Sequence, residues 1–156
     1  MGRVQQQISL QPKVRDTLKF LAEESGLTMS AYIEKLVMDQ VNMKGIPAQQ
    51  MDAIIYAKSR ILQSPVGRYV KKIILFGSCA RGDARFDSDI DLMLILDMTK
   101  EEQQAMRREL LSLHSLAEME GPQDPELDLV LRFSDDMPDN TFGKNVERDG
   151  RIIYES

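Results

Sequence analysis

Hydrophobic and polar residues alternate from Val4 to Gln11. Val4, Ile8 and Leu10 share one face with Gln6, and Arg3, Gln5, Gln7 and Ser9 share the other, the period of a short strand with a polar outer face. From Pro12 the period lengthens: Val14, Leu18, Leu21 and Ala22 recur at helical spacing until Gly26 ends the run, and proline suits the first turn. A second helix is expected from Thr28 or Ser30, burying Ile33, Leu36, Val37 and Val41. One strand has no sheet partner within residues 1–44, so this unit needs a second copy to close a core. Gly45-Ile46-Pro47 breaks the pattern and sets a boundary, giving two expected domains, 1–44 and 48–156.

Beyond the boundary, Ala48 to Ser64 reads as a helix with Ile54, Ile55, the Lys58 stem, Ile61 and Leu62 along one side, stopped by Pro65. Ile73–Phe76 and Ile90–Leu96 read as buried strands. Thr99 with Glu102 forms a capping box for one helix reaching Glu118, with Met106, Leu110, Leu113 and Ala117 inward. Glu126 to Phe133 alternates as a third strand, and Arg151 to Tyr154 adds a short fourth element after the Asp149-Gly150 turn. The fold class expected is α+β: a small mixed sheet with flanking helices, preceded by the strand-helix-helix unit.

Composition changes this picture little. With 42% hydrophobic and 29% charged residues in 156, the chain is globular and large enough for a real core. No stretch approaches bilayer length and no signal sequence opens the chain, so a cytoplasmic protein with no membrane partner is expected. Cys79 is the only cysteine, which excludes an internal disulfide and a cysteine zinc site. The net charge of −5 is unevenly spread: residues 45–72 carry 5 basic and 1 acidic side chains, residues 99–156 carry 7 and 14. An acidic whole argues against indiscriminate coating of nucleic acid and leaves room for a local contact.

The chemistry is concentrated in Leu75–Leu96, LFGSCARGDARFDSDIDLMLIL. A hydrophobic strand runs into Gly77-Ser78, where the missing side chain lets backbone N–H groups approach phosphate and the Ser78 hydroxyl can donate. Asp89 and Asp91, two apart, project to one face. Such a pair calls for a hard cation such as Mg2+ bridging to a triphosphate. Asp128, flanked by Leu127 and Leu129, is the candidate third carboxylate if its strand pairs beside the first two. The trio would match the two-metal template for in-line phosphoryl transfer. Arg81 is placed to offset phosphate charge in the transition state. Singly, each element has an ordinary reading as a turn, a solvated strand end or an ion pair with Arg132; their conjunction favours chemistry. His114, with no companion ligand nearby, reads as a surface or boundary residue.

This segment closely resembles the signature of the polymerase-β-type nucleotidyltransferase superfamily, a Gly-Ser pair followed by Asp-hydrophobic-Asp-hydrophobic, and is most similar to its minimal members. The resemblance spans 48–156. It implies Gly77 and Ser78 on the triphosphate of an NTP, with ATP the expected substrate and Arg81 the further nucleotide-binding candidate read from the residues. It also implies Asp89, Asp91 and Asp128 as catalytic, metal-binding carboxylates. Phe86 and Cys79 stand where the usual run has proline and arginine. Minimal members are commonly antitoxins paired with HEPN-type ribonuclease toxins, adding AMP to a toxin tyrosine. A protein acceptor is therefore expected, with a small-molecule acceptor as the alternative.

Residues 8–37 resemble the ribbon-helix-helix module, a dimeric class that lays a two-stranded ribbon in the DNA major groove. By that resemblance the chain is a homodimer, and Arg3, Gln5, Gln7 and Ser9 face operator DNA. Only Arg3 on the ribbon is basic, which limits phosphate contacts and leaves open a purely dimerising role. An autorepressor acting mainly by binding is the alternative to an enzyme.

Overall fold

The computed structural model describes residues 7–156, and over 38–42 the backbone only. The chain divides between Val41 and Asn42 into two compact units.

In the first unit, α1 spans Pro12–Glu24 with proline in its first turn, and α2 spans Met29–Asn42. The junction is built locally. Gly26, at φ +66°, donates to Glu23 O at 3.0 Å and Leu27 donates to Ala22 O at 2.9 Å, the paired bonds of a glycine-terminated helix. Thr28 Oγ1 then accepts from the Ala31 N–H at 3.2 Å and caps α2. The expected strand is not present over residues 7–11, and Arg3, Val4 and Gln5 lie outside the described residues. A strand exists only against a partner, and none lies among the described residues of this unit. The inward stripe is also narrower than expected. Leu18 and Ala22 are buried, whereas Val14 is 49% and Leu21 40% exposed, and Leu36 and Val37 are exposed too. Ile33 is half-buried; the side chain of Val41 lies outside the described residues.

The second unit is built on a four-stranded mixed sheet. Helix α3 (Ala48–Gln63) precedes β1 (Val70–Phe76), which runs directly into the short α4 (Gly77–Arg81). Next come β2 (Ile90–Leu96), α5 (Lys100–Ala105), α6 (Arg107–Ala117), β3 (Leu127–Arg132), α7 (Thr141–Asp149) and β4 (Arg151–Glu155). The sheet order is β3-β2-β1-β4, with β1 antiparallel to both β2 and β4, and β2 parallel to β3. This is the expected mixed α+β architecture.

Strand alternation sorts the core into two clusters. Ile73, Leu75, Leu92, Leu94 and Leu127 turn to one face, where they join Ile54 and Ile61 of α3 and Leu113 and Ala117 of α6. Ile74, Met93 and Ile95 turn to the other, where Val146 of α7 covers them and Phe76 and Val130 complete a smaller cluster. Asp91 and Asp128 share the parity of this second face, at the end left open beside Phe76.

Several helical details depart from expectation. On α3 the buried positions are Gln50, Ala53, Ile54, Ala57 and Ile61, while Ile55 is 55% exposed. The stripe is rotated because the small Ala53 and Ala57 let the helix approach the sheet. Lys58 does turn inward, donating from Nζ to Ile153 O at 2.9 Å. The capping box at Thr99 and Glu102 is present. The helix after it is two pieces, because Met106 leaves helical geometry at φ −100°, ψ 15°. Hydrogen bonds continue on both sides of that residue, from Met106 to Glu102 O and from Leu110 to Met106 O. Among the described residues, no helix is long and apolar enough to cross a membrane.

Candidate functional site

The site is the open end of the smaller sheet face. The β1–β2 register pairs Phe76 with Asp91, and the parallel β2–β3 register pairs Asp91 with Asp128. Gly77, Asp91 and Asp128 thus lie in a row across three elements. Asp89 sits one residue before β2 rather than within it, and its carbonyl faces Cys79 Sγ at 3.7 Å.

Gly77 is tied to this row by geometry. Its φ of +69° is in the left-handed region that disfavours side chains. A Cβ built on it would lie 2.1 Å from Asp91 Oδ2. The Asp91 carboxylate therefore occupies the space that any larger residue at 77 would fill.

The three acids also act on one another through charge. The Asp91 carboxyl is pushed above its ordinary range, first by burial, then by the charges of Asp128 and Asp89, while Arg81 opposes the shift. Asp89 and Asp128 are exposed and Asp91 is half-buried. Arg81 is itself engaged, with Nε 3.2 Å from Asp83 Oδ2. Ser78 is half-buried in α4, and its carbonyl accepts from the N–H groups of Gly82 and Asp83 at 3.1 and 3.2 Å. Arg151 braces the end of α4, donating from Nε to Ala80 O at 2.7 Å.

An Mg2+ ion is what the sequence resemblance implies, and the donors fit it in kind: all are carboxylate oxygens, the hard ligands it takes. The fit is that of an open site. Among the described residues no three Asp, Glu, His or Cys side chains form a ready cation cage. Mg2+ is ordinarily held by one or two carboxylates together with water and substrate phosphates, which an open pair such as Asp89 and Asp91 suits.

Two other residues take definite places. Cys79 is fully buried, and burial raises its thiol to about 11, so it is not a reactive thiolate. His114 Nε2 lies 2.6 Å from Leu127 O, and the ring is half exposed at the α6–β3 boundary. One residue near the site escapes sequence reading. Gln50, buried on α3, meets three carbonyls of the loop that delivers Asp89. Its only sequence signal is being polar on a helix face that is otherwise apolar.

Gln7 and Ser9 are exposed and carry no strand; Arg3 and Gln5 lie outside the described residues.

The family described as Polymerase beta, Nucleotidyltransferase matches residues 53–156. A Methanocaldococcus jannaschii protein named "Putative protein adenylyltransferase" is 32% identical over 94 residues, covering 60% of this chain and 87% of that protein. A crystal structure of a "putative nucleotidyltransferase" from Sulfolobus solfataricus aligns at a TM-score of 0.38 and 17% identity, over 69% of this chain and 84% of that one. A structure of a toxin-antitoxin with AMP-PNP aligns at 0.37 and 20%, over 67% and 73%. With the signature in Leu75–Leu96, the row of Gly77, Asp91 and Asp128, and a match over two thirds of its length, the chain belongs to the polymerase-β nucleotidyltransferase family.

Proposed function

We propose that this protein transfers AMP from ATP to a hydroxyl of a partner protein, as the antitoxin of a HEPN-type toxin pair. The observation that carries the reading is the register placing Asp128 beside Asp91, with Gly77 closed against the Asp91 carboxylate. The name of the Methanocaldococcus jannaschii relative supports an adenylyl donor and a protein acceptor. The HEPN pairing rests on the resemblance to minimal family members.

In this reading Gly77 and Ser78 hold the triphosphate through backbone N–H groups and the Ser78 hydroxyl, and Arg81 exchanges Asp83 for phosphate. Asp89 and Asp91, with Asp128, would hold Mg2+, which supplies charge neutralisation at the α-phosphate when bound. Asp128, exposed at the open end, accepts the proton of the acceptor hydroxyl. The hydroxyl oxygen forms its bond to the α-phosphorus as the bond to the β-phosphate oxygen breaks, and pyrophosphate leaves in line.

The test is transfer of label from α-labelled ATP to a co-expressed partner, read by a gain of one AMP in mass. Asp89→Asn and Asp91→Asn abolish it, and Asp128→Asn lowers it by about a hundredfold or more. Full transfer in either of the first two variants would remove the mechanism.

We further propose that the first unit joins two chains as a ribbon-helix-helix dimer, with Arg3, Gln5, Gln7 and Ser9 presented to operator DNA. The exposed Val14, Leu21, Leu36 and Val37 favour this, because a lone helix pair leaves them in water. A gel-shift titration over salt tests the DNA contact: a measurable slope at an upstream operator supports it, and no retardation at low salt eliminates it.

A further inference from the structure

A polar side chain on a buried helix face is costly unless it finds hydrogen bonds. Gln50 is fully buried in the inward stripe of α3. Its Nε2 donates towards Arg85 O at 2.9 Å, Phe86 O at 2.9 Å and Ser88 O at 3.1 Å. Three carbonyls can be met only by the amine end of the amide, which fixes its orientation. Its Oε1 is buried without a partner. Leaving that oxygen unpaired is a standing cost that an apolar residue of the same length would avoid. The offset lies in the loop.

The segment between α4 and β2 has no ladder of its own, and it ends directly on Asp89. Its outward side chains are exposed, with Phe86 at 78%. It is held by a small turn, in which Arg85 N–H donates to Ser88 Oγ at 2.8 Å and Ser88 N–H donates to Arg85 O at 3.1 Å. That turn gives the loop a shape, and its two ends are tied to α4 by the Asp83 N–H donating to Ser78 O at 3.2 Å and by Cys79 Sγ at 3.7 Å from Asp89 O. Gln50 ties down its middle, joining the carbonyls of Arg85, Phe86 and Ser88 to the helix that packs on the sheet.

We propose that Gln50 is a positioning residue that sets where Asp89 stands relative to Asp91. The inference rests on the transfer reading above. Its physical basis is that a carboxylate on an irregular segment is located only as well as its support, and outer-shell partners tune a site by orienting its ligands.

The experiment uses the full chain carrying Gln50→Met, which keeps length and volume and removes the donors. Three results are expected. Trypsin cleavage after Arg85 in the native protein accelerates by about tenfold or more. Binding of Mn2+ with a non-hydrolysable ATP analogue weakens by about ten- to a hundredfold. The kcat falls while the KM for the protein acceptor stays unchanged. A role confined to core packing would instead lower Tm and leave these three readouts in place. Cleavage and Mn2+ binding within about twofold of wild type would overturn the proposal. Should the variant not fold, the wild-type protein still decides: its Arg85–Phe86 bond must resist trypsin until global unfolding, and rapid native cleavage there refutes the clamp. Transfer surviving Asp89→Asn would sink the transfer reading and not the clamp, which the trypsin measurement judges independently.

Discussion

At Gly77 two constraints meet in one residue. The backbone turns with φ +69°, and the Asp91 carboxylate lies where a Cβ would be. Alanine there must take a left-handed conformation costing about 1–2 kcal/mol and also displace the carboxylate. Gly77→Ala is therefore expected to fold with a modest loss of stability and a transfer rate lower by about a hundredfold, since misplacing a reacting group by an ångström costs that much. Activity near wild type would mean that Asp91 need not stand where it does.

Asp91 itself carries a stability cost. Its carboxyl is raised by burial and by Asp128 and Asp89, so the fold prefers it protonated. A raised folded value stabilises fully below the unfolded value, the usual 3.8, and that contribution is lost as pH rises through the folded value. At pH 7 and without a cation the charge works against the fold. Asp91→Asn should thus raise Tm in chelator at pH 7, the gain shrinking towards pH 4, while abolishing transfer. Saturating Mg2+ and ATP should reverse the order, because only the wild type then gains from binding. A variant less stable than wild type at pH 7 in chelator would contradict this electrostatic account.

At the scale of elements, β2 is legible to the residue because Ile90 to Leu96 is apolar at every position but Asp91, and Asp97 ends it. The adjacency of Asp91 and Asp128 depends on which strands pair, and strand pairing is a non-local fact that spacing only permits. Gln50 is illegible for the same reason: its three acceptors lie 35 to 38 residues away. Helix α7 is missed outright. Gly143 and Asn145 are poor helix formers, and the apolar signal is only Phe142 and Val146, four apart. What starts it is a cap, Asn140 Oδ1 accepting from Gly143 N–H at 2.9 Å. What holds it is tertiary: Val146 in the smaller cluster, and Phe142 edge-on to Phe76 with ring centroids 5.5 Å apart. With so little intrinsic propensity, the cap matters more than usual. Asn140→Ala should cost about 1 kcal/mol and speed amide exchange through Thr141–Gly143 ahead of the rest of the domain. Uniform acceleration across all elements would show that the cap has no local role.

The whole molecule sets a unit that closes its own core beside one that does not. Residues 42–156 bury two clusters around a sheet, whereas the described part of residues 1–41 leaves Ile8, Val14, Phe20, Leu21 and Val37 exposed. The amphipathic period of α1 was legible, but the depth of burial was not, because period marks a stripe without saying what packs against it. Each such side chain gains about 1.5–3 kcal/mol when fully buried, so covering several on each of two copies can offset the cost of association. The wild-type chain should therefore sediment as a dimer at micromolar concentration, and Leu21→Lys should sediment as a monomer with its second unit still folded. A monomeric wild type at that concentration would sink the dimer. The same variant separates assembly from chemistry. Gly77, Ser78, Asp89, Asp91 and Asp128 all come from one chain and lie within one unit, so the monomer should retain nucleotide transfer per chain while losing retardation of operator DNA. Loss of transfer on dissociation would instead mean that the site draws on its neighbour.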